Sequence, residues 1–184
     1  TSSRSIIFDA NLNLVTDAQE EYDLTYPEDG WVELEPKKII ETVTNTLNKV
    51  VSADIGLEAC GITNQRETTI VWSKSTGEAI YPGIVWQDRR THEYCSYLKS
   101  NGHETVIKEK TGLLLDPYFS ATKIKWILDN VDGAREKASK GELLFGTVDS
   151  YLIYMLSKEK NHFTDVTNAS RTCLLYTSDA ADEV

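Results

Sequence analysis

The stretch Gly61-Ile62-Thr63-Asn64-Gln65-Arg66-Glu67-Thr68-Thr69 sets a rigid fork of donors beside a pair of acceptor oxygens. Arginine offers five N–H donors, and an ionised glutamate only accepts. Together they can read a vicinal diol, because each hydroxyl seeks both a donor and an acceptor. In a regular strand neighbouring side chains leave opposite faces. Arg66 and Glu67 can therefore meet one ligand only where the backbone is irregular. The plainer alternative is a surface ion pair, contributing ~0–1 kcal/mol. Two further segments bear on the same chemistry. Ile84-Val85-Trp86 ends an apolar run on an indole, whose face can pack on the carbon side of a polyol. Asp116-Pro117-Tyr118-Phe119-Ser120 puts a phenolic hydroxyl in a loop before a helix. A core Trp and an ordinary helix-entry loop are the corresponding alternatives.

Thr1-Ser2-Ser3-Arg4 combines hydroxyls, turn amides and one guanidinium, a combination that can wrap a phosphate. A polar strand start is the alternative. The chain has neither GxxxxGK[ST] nor GxGxxG, so neither a P-loop nor a dinucleotide fingerprint is present. His92 and Cys95 stand three apart on an expected helix, but a metal site needs two more ligands, and partly buried side chains are the better reading. Lys123 and Trp126 read, on their own, as a snorkelling cation and a core aromatic.

The elements that must position these residues follow from periodicity. Arg4 to Asp9 reads as a strand, Ala10-Asn11 as a turn, and Leu12 to Gln19 as the returning strand. Pro36 opens a helix with Ile39, Ile40, Val43, Leu47, Val50 and Val51 on one face. Leu57 to Thr63 reads as a strand, and Thr68 to Lys74 with Glu78 to Trp86 as a second hairpin about Ser75-Thr76-Gly77. Helices are expected over Asp88 to Ser100, Ser120 to Val131 and Thr147 to Ser157, with a buried strand at Leu143 to Phe145. Hairpins followed by alternating strands and helices imply an α/β domain with a mixed sheet.

Length and charge narrow the class. The 184 residues suit about one domain. A net charge of −10 argues against nucleic acid as a partner, because phosphate neutralisation needs clustered Lys and Arg. No apolar run approaches the roughly 20 residues that cross a bilayer, so no membrane insertion is expected. Three scattered cysteines without CxxC argue against a disulfide framework or a zinc ribbon and suit a reducing, cytoplasmic setting.

Seven stretches taken in order resemble the N-terminal domain of the FGGY family of carbohydrate kinases, and within it the members that act on glycerol. They are Thr-Ser-Ser-Arg at 1–4, Gly-Trp-Val-Glu at 30–33, the 61–69 stretch, Ile-Val-Trp-Gln-Asp-Arg-Arg-Thr at 84–91, Asp-Pro-Tyr-Phe-Ser at 116–120, Phe-Gly-Thr-Val-Asp at 145–149 and Thr-Asp-Val-Thr-Asn-Ala-Ser-Arg-Thr at 164–172. Lys123 and Trp126 fit the family's Lys-x-x-Trp signature. The resemblance covers residues 1–172. It implies an incomplete RNase H-like domain of the actin and hexokinase type, a mixed sheet with flanking helices. It further implies that Arg66, Glu67 and Tyr118 bind the hydroxyls of glycerol and that Trp86 lines the polyol pocket. Thr1, Ser2 and Arg4 would belong to the hairpin that grips the phosphates of ATP. The implied reaction, with ATP and Mg2+, passes the γ-phosphoryl group to glycerol and gives sn-glycerol 3-phosphate. The partners implied are glycerol and ATP, in a cytoplasmic, homo-oligomeric parent.

Two family elements have no counterpart in the sequence: the Asp-Gln-Gly whose Asp helps place the metal, and the catalytic-base Asp that lies well beyond Thr172. No catalytic or metal-binding residue is therefore assigned, and the chain by itself is expected to be inactive. A kinase for xylulose or gluconate, or a non-catalytic polyol-binding module, are the alternatives. The run Cys-Leu-Leu-Tyr-Thr-Ser-Asp-Ala-Ala-Asp-Glu at 173–183 back-translates to a transposase sequencing adapter. Residues 173–184 are accordingly expected to be a non-native tail.

Overall fold

The computed structural model describes residues 1–52 and 56–174. Its elements run β1 (Ser2–Phe8), β2 (Leu14–Glu21), β3 (Glu33–Leu34), α1 (Pro36–Val50), β4 (Ile70–Ser73), β5 (Gly83–Ile84), α2 (His92–Ser100), α3 (His103–Thr111), α4 (Ser120–Asn130), α5 (Ala134–Ser139), β6 (Leu143–Gly146), α6 (Val148–Leu156) and α7 (Val166–Ser170). The strands pair antiparallel as β1 with β2, β3 with β5, and β4 with β6. Isolated bridges join Thr69 to Ile84 and Trp72 to Ala79, so the hairpin expected over 68–86 exists as bridges around the β4–β6 ladder.

The first hairpin turns where the Asp9 carboxylate accepts the amides of Asn11 and Asn13, with Leu12 left-handed at φ 62. This Asx-type turn is two residues longer than the expected Ala10-Asn11 bend, which moves β2 two residues along. The helix α1 begins at Pro36, with the Glu35 side chain accepting from the Lys37 amide. Its contact with the hairpin is partly polar. The hydroxyls of Thr42 and Thr46, both buried, pair with those of Ser3 and Ser5, each at 2.8 Å. The buried face of α1 is Pro36, Ile39, Thr42, Thr46 and Val50, rotated from the expected stripe and leaving Val51 exposed.

Trp72 of β4 is fully buried at the centre of the main core, with Leu34, Ile39 and Ile70. The rings of Tyr151 and Tyr154 from α6 meet it at 5.2 and 5.6 Å, and His162 meets it edge-on at 5.4 Å. A second cluster is built on a cation. The Arg90 guanidinium is wholly buried, pairs with Glu33 at 2.7 Å and Asp88 at 2.8 Å, and lies over the rings of Trp31 and Trp126 at 3.9 and 4.6 Å. Asp88 also accepts the Val32 amide at 2.6 Å. This staple joins the segment before β3, the turn after β5 and the helix α4.

Three expectations fail for identifiable reasons. Leu57 to Thr63 forms no strand: its backbone pairs with nothing among the described residues, and Leu57 and Ile62 are exposed. A strand needs a ladder partner as well as an apolar run. The helix expected from Asp88 begins at His92 instead, because Asp88 is spent on Arg90 and Val32. Three short helices, α3, α5 and α7, were not expected. Each buries at most one side chain, so none carries a readable apolar stripe. Of the expected tail, Cys173 and Leu174 are described, and 175–184 lie outside the described residues.

Candidate functional site

Glu67 has φ 61, in the left-handed region, and sits in a turn just before β4. This is the irregularity that the Arg66–Glu67 pair requires if both are to face one ligand. Such a conformation costs a non-glycine residue of order 1–3 kcal/mol and persists only where the surroundings hold it. Here the Glu67 carbonyl accepts from Thr69 Oγ1 at 3.1 Å, Lys123 Nζ at 3.1 Å and Ser120 Oγ at 3.4 Å. The N-terminal turn of α4 thus clamps the strained residue from behind.

The loop is anchored at its other end by Asn64. The Asn64 amide donates to Thr147 Oγ1 at 2.9 Å and accepts the Asp149 amide at 3.0 Å. The Asp149 carboxylate is buried, and hydroxyl and amide groups satisfy it. It accepts from Thr147, from Thr164 at 2.6 Å and from Asn168 Nδ2 at 3.2 Å. Gln65 Oε1 accepts from Thr68 Oγ1 at 3.0 Å, and the same hydroxyl accepts the Trp86 amide at 3.3 Å. One threonine therefore ties the 64–68 loop to the strand end that carries Trp86.

The result is a cleft of about 280 Å³ lined by Asn64, Gln65, Arg66, Glu67, Trp86, Tyr118 and Arg171. It sits just below the size range of pockets for drug-sized ligands, which suits a small polar molecule. Arg66 is exposed and has no hydrogen-bond or ion-pair partner among the described residues, so its donors are available. Trp86 is 38% exposed and meets the Tyr118 ring edge-on at 5.8 Å. The four residues expected to bind a polyol are thereby brought together. Thr1, Ser2 and Arg4 do not line this cleft. Ser2 and Arg4 lie on β1 and Thr1 just before it; Arg4 pairs with Asp17 at 2.7 Å and the Ser2 hydroxyl accepts from Gln19 Nε2 at 3.1 Å.

Two residues carry more weight than their types suggest. Lys123 does not snorkel: it is completely buried, and its ammonium donates to the carbonyls of Glu67 and of Tyr118, the latter at 2.8 Å. Burial pulls its pKa down to about 7, against the opposite pull of Asp88, Glu67 and Asp116. Arg171 was not singled out from sequence. Its Nε donates to Glu67 Oε1 at 2.6 Å, a pair closed across 104 residues. It stands in the 164–172 stretch that contributes to the family resemblance, which marks the segment and gives the side chain no role.

Among the described residues no group of three or more His, Cys, Asp or Glu side chains could hold a metal ion. The described residues thus offer no all-protein cage, and a magnesium ion of the kind the resemblance implies would need the nucleotide phosphates and one or two carboxylates to hold it. No helix among them is long and apolar enough to cross a membrane.

The fold that carries this cleft is that of a carbohydrate-kinase N-terminal domain, as comparison with known proteins shows. The model of the FGGY family of carbohydrate kinases, N-terminal domain, matches residues 1–180, and the chain belongs to that family. It is 57% identical over 179 residues to the glycerol kinase of Pasteurella multocida and 58% identical over 179 residues to that of Alteromonas mediterranea. Each alignment covers 95% of this chain and 36% of the relative, so the chain spans about a third of the length of the curated relatives it matches. The crystal structure of Plasmodium falciparum glycerol kinase with ADP superposes with a TM-score of 0.91 at 33% identity, over 95% of this chain and 36% of that one. A gluconate kinase from Lactobacillus acidophilus shares the fold, with a TM-score of 0.81 at 23% identity over 96% of this chain and 35% of that one.

Proposed function

We propose that the protein to which this chain belongs phosphorylates glycerol with ATP, and that this chain supplies the polyol pocket. The observation that carries the reading is the convergence of Arg66, Glu67, Trp86 and Tyr118 on one small cleft. Its chemistry matches a triol. Arg66 supplies donors, Glu67 supplies acceptors, and the Tyr118 hydroxyl can do either. The half-exposed indole of Trp86 offers an apolar face to the carbon chain. Glycerol kinases more than 50% identical over 95% of the chain support glycerol over other polyols.

The nucleotide side is part of the same reading. Thr1, Ser2 and Arg4 would meet the phosphates of ATP, with Arg4 leaving Asp17 to do so. That exchange is inexpensive, because the pair is about half exposed and such pairs contribute ~0–1 kcal/mol. Phosphoryl transfer depends chiefly on positioning and on stabilising developing charge. In this chain Arg66 and Glu67 hold the polyol, and Trp86 and Tyr118 exclude water from its carbon side. Glu67, the carboxylate lining the cleft, is tied to Arg171 through Oε1 and serves the polyol as an acceptor.

The test is a coupled assay of ADP release by the full-length protein, with glycerol, xylulose and gluconate offered in parallel. Glycerol should be preferred by at least about tenfold in kcat/KM, a difference of about 1.4 kcal/mol in transition-state binding. A preference for xylulose or gluconate would move the protein elsewhere in the family. The 184-residue chain alone should release no ADP above background.

A further inference from the structure

We propose that Arg171 is a positioning residue of the polyol site, holding the Glu67 carboxylate so that one of its oxygens points at the ligand. The proposal rests on the polyol-binding reading above. Glu67 is 2% exposed and its side chain makes one hydrogen bond to the protein, Arg171 Nε to Oε1 at 2.6 Å. No partner of Oε2 is present among the described residues, although Glu67 lines the cleft. A carboxylate buried to this degree is held in one orientation only if something fixes it, and the short charge-assisted Nε–Oε1 bond holds one oxygen while leaving Oε2 toward the cleft.

Arg171 is itself held from two directions. Its guanidinium carbon lies 5.0 Å from the centre of the Phe119 ring and 5.8 Å from that of Tyr118. Its backbone is fixed through the next residue, because the Ala121 amide donates to the Thr172 carbonyl at 3.0 Å. The first turn of α4 therefore grips Glu67 through Ser120 and Lys123 and grips the Arg171 segment through Ala121. The pair Arg171–Glu67 closes that frame on the ligand side. Lysine in its place would keep the charge and lose the directed Nε–H donor and the flat guanidinium that rests against Phe119 and Tyr118.

The experiment is steady-state kinetics on the full-length protein and its R171Q, R171K, E67Q and E67Q/R171Q variants. The substrate is whichever of glycerol, xylulose and gluconate the parent phosphorylates. R171Q should raise KM for the polyol by about tenfold or more, with kcat and KM for ATP changed by less than about threefold. R171K should recover part of the loss. Because Arg171 acts through Glu67, the double variant should be no worse than E67Q alone, a non-additivity that a merely structural arginine would not produce. A polyol KM within about twofold of the parent in R171Q, or multiplicative losses in the double variant, overturns the proposal. If R171Q does not fold, R171K decides: a raised polyol KM with kcat retained supports the proposal, and an unchanged KM overturns it. A parent that phosphorylates none of the three polyols removes the functional reading and this inference with it. An active parent with an indifferent R171Q removes the inference alone.

Discussion

Individual residues at this site work through backbone geometry as much as through side-chain chemistry. Arg66, Glu67, Trp86 and Tyr118 are each a weak signal alone, and the family resemblance is what groups them; the structure places all four on one cleft. The left-handed turn at Glu67 was not legible, because nothing in Gln-Arg-Glu-Thr signals it: no glycine or asparagine occupies the position. Arg171 escaped for a different reason, since a pair separated by 104 residues leaves no local pattern. Lys123, a snorkelling cation by sequence alone, is a buried brace. Its behaviour with pH should expose that placement. Burial lowers its folded pKa to about 7 from 10.5. Below pH 7 both the folded and the unfolded chain carry the proton, and the folded state bears the whole desolvation penalty. Between 7 and 10.5 the folded state sheds the proton while the unfolded state keeps it, so the penalty shrinks as pH rises. The Tm of the full-length protein relative to its K123M variant should therefore increase from pH 7 to pH 9. A difference that stays flat across that interval would show that this amine does not titrate there.

Elements with strong periodicity were read correctly and weakly patterned ones were not. The helices α1, α4 and α6 fall within two residues of expectation because each combines a start signal with apolar repeats. The helix α3 buries nothing, and a helix that is polar all round gives no period to read. What binds the elements together is concentrated at Arg90, which links the segment before β3 to the turn after β5 and to α4 through two carboxylates and two indoles. Replacing it with methionine would preserve bulk but strand Glu33 and Asp88, which are 6% and 1% exposed. Breaking a buried pair from one side costs ~3–5 kcal/mol. For a domain of this size that corresponds to a fall of at least about 6 °C in Tm. Thermal unfolding of R90M followed by circular dichroism measures it, and a fall under about 2 °C would place the staple's contribution elsewhere.

At the scale of the whole molecule, stability is unevenly distributed. Trp72 at the centre of the core is fully buried, whereas residues 57–63 join no backbone ladder among the described residues and expose Leu57 and Ile62. Local opening free energies follow such differences in contact and hydrogen bonding. Amides of 57–63 should exchange with solvent at least about a hundredfold faster than those of Ile70 to Ser73 in the 184-residue chain. Mass spectrometry of peptic peptides resolves the two segments, and equal protection would mean that 57–63 is paired after all. The α/β class was legible because the hairpin and helix signals alternate. The division into three short antiparallel ladders was not, since strand partners are chosen by packing across the whole chain.

The four indoles of the described residues occupy unequal surroundings, and this has an optical consequence. Trp72 is sealed in the core, and Trp31 and Trp126 are pinned against the Arg90 guanidinium. Trp86 alone of the four lines the cleft and meets water there. As the most exposed of the four, it should emit furthest to the red. Under the proposed function, a polyol that displaces that water should shift this edge toward the blue, which would make the indole an unlabelled reporter of occupancy.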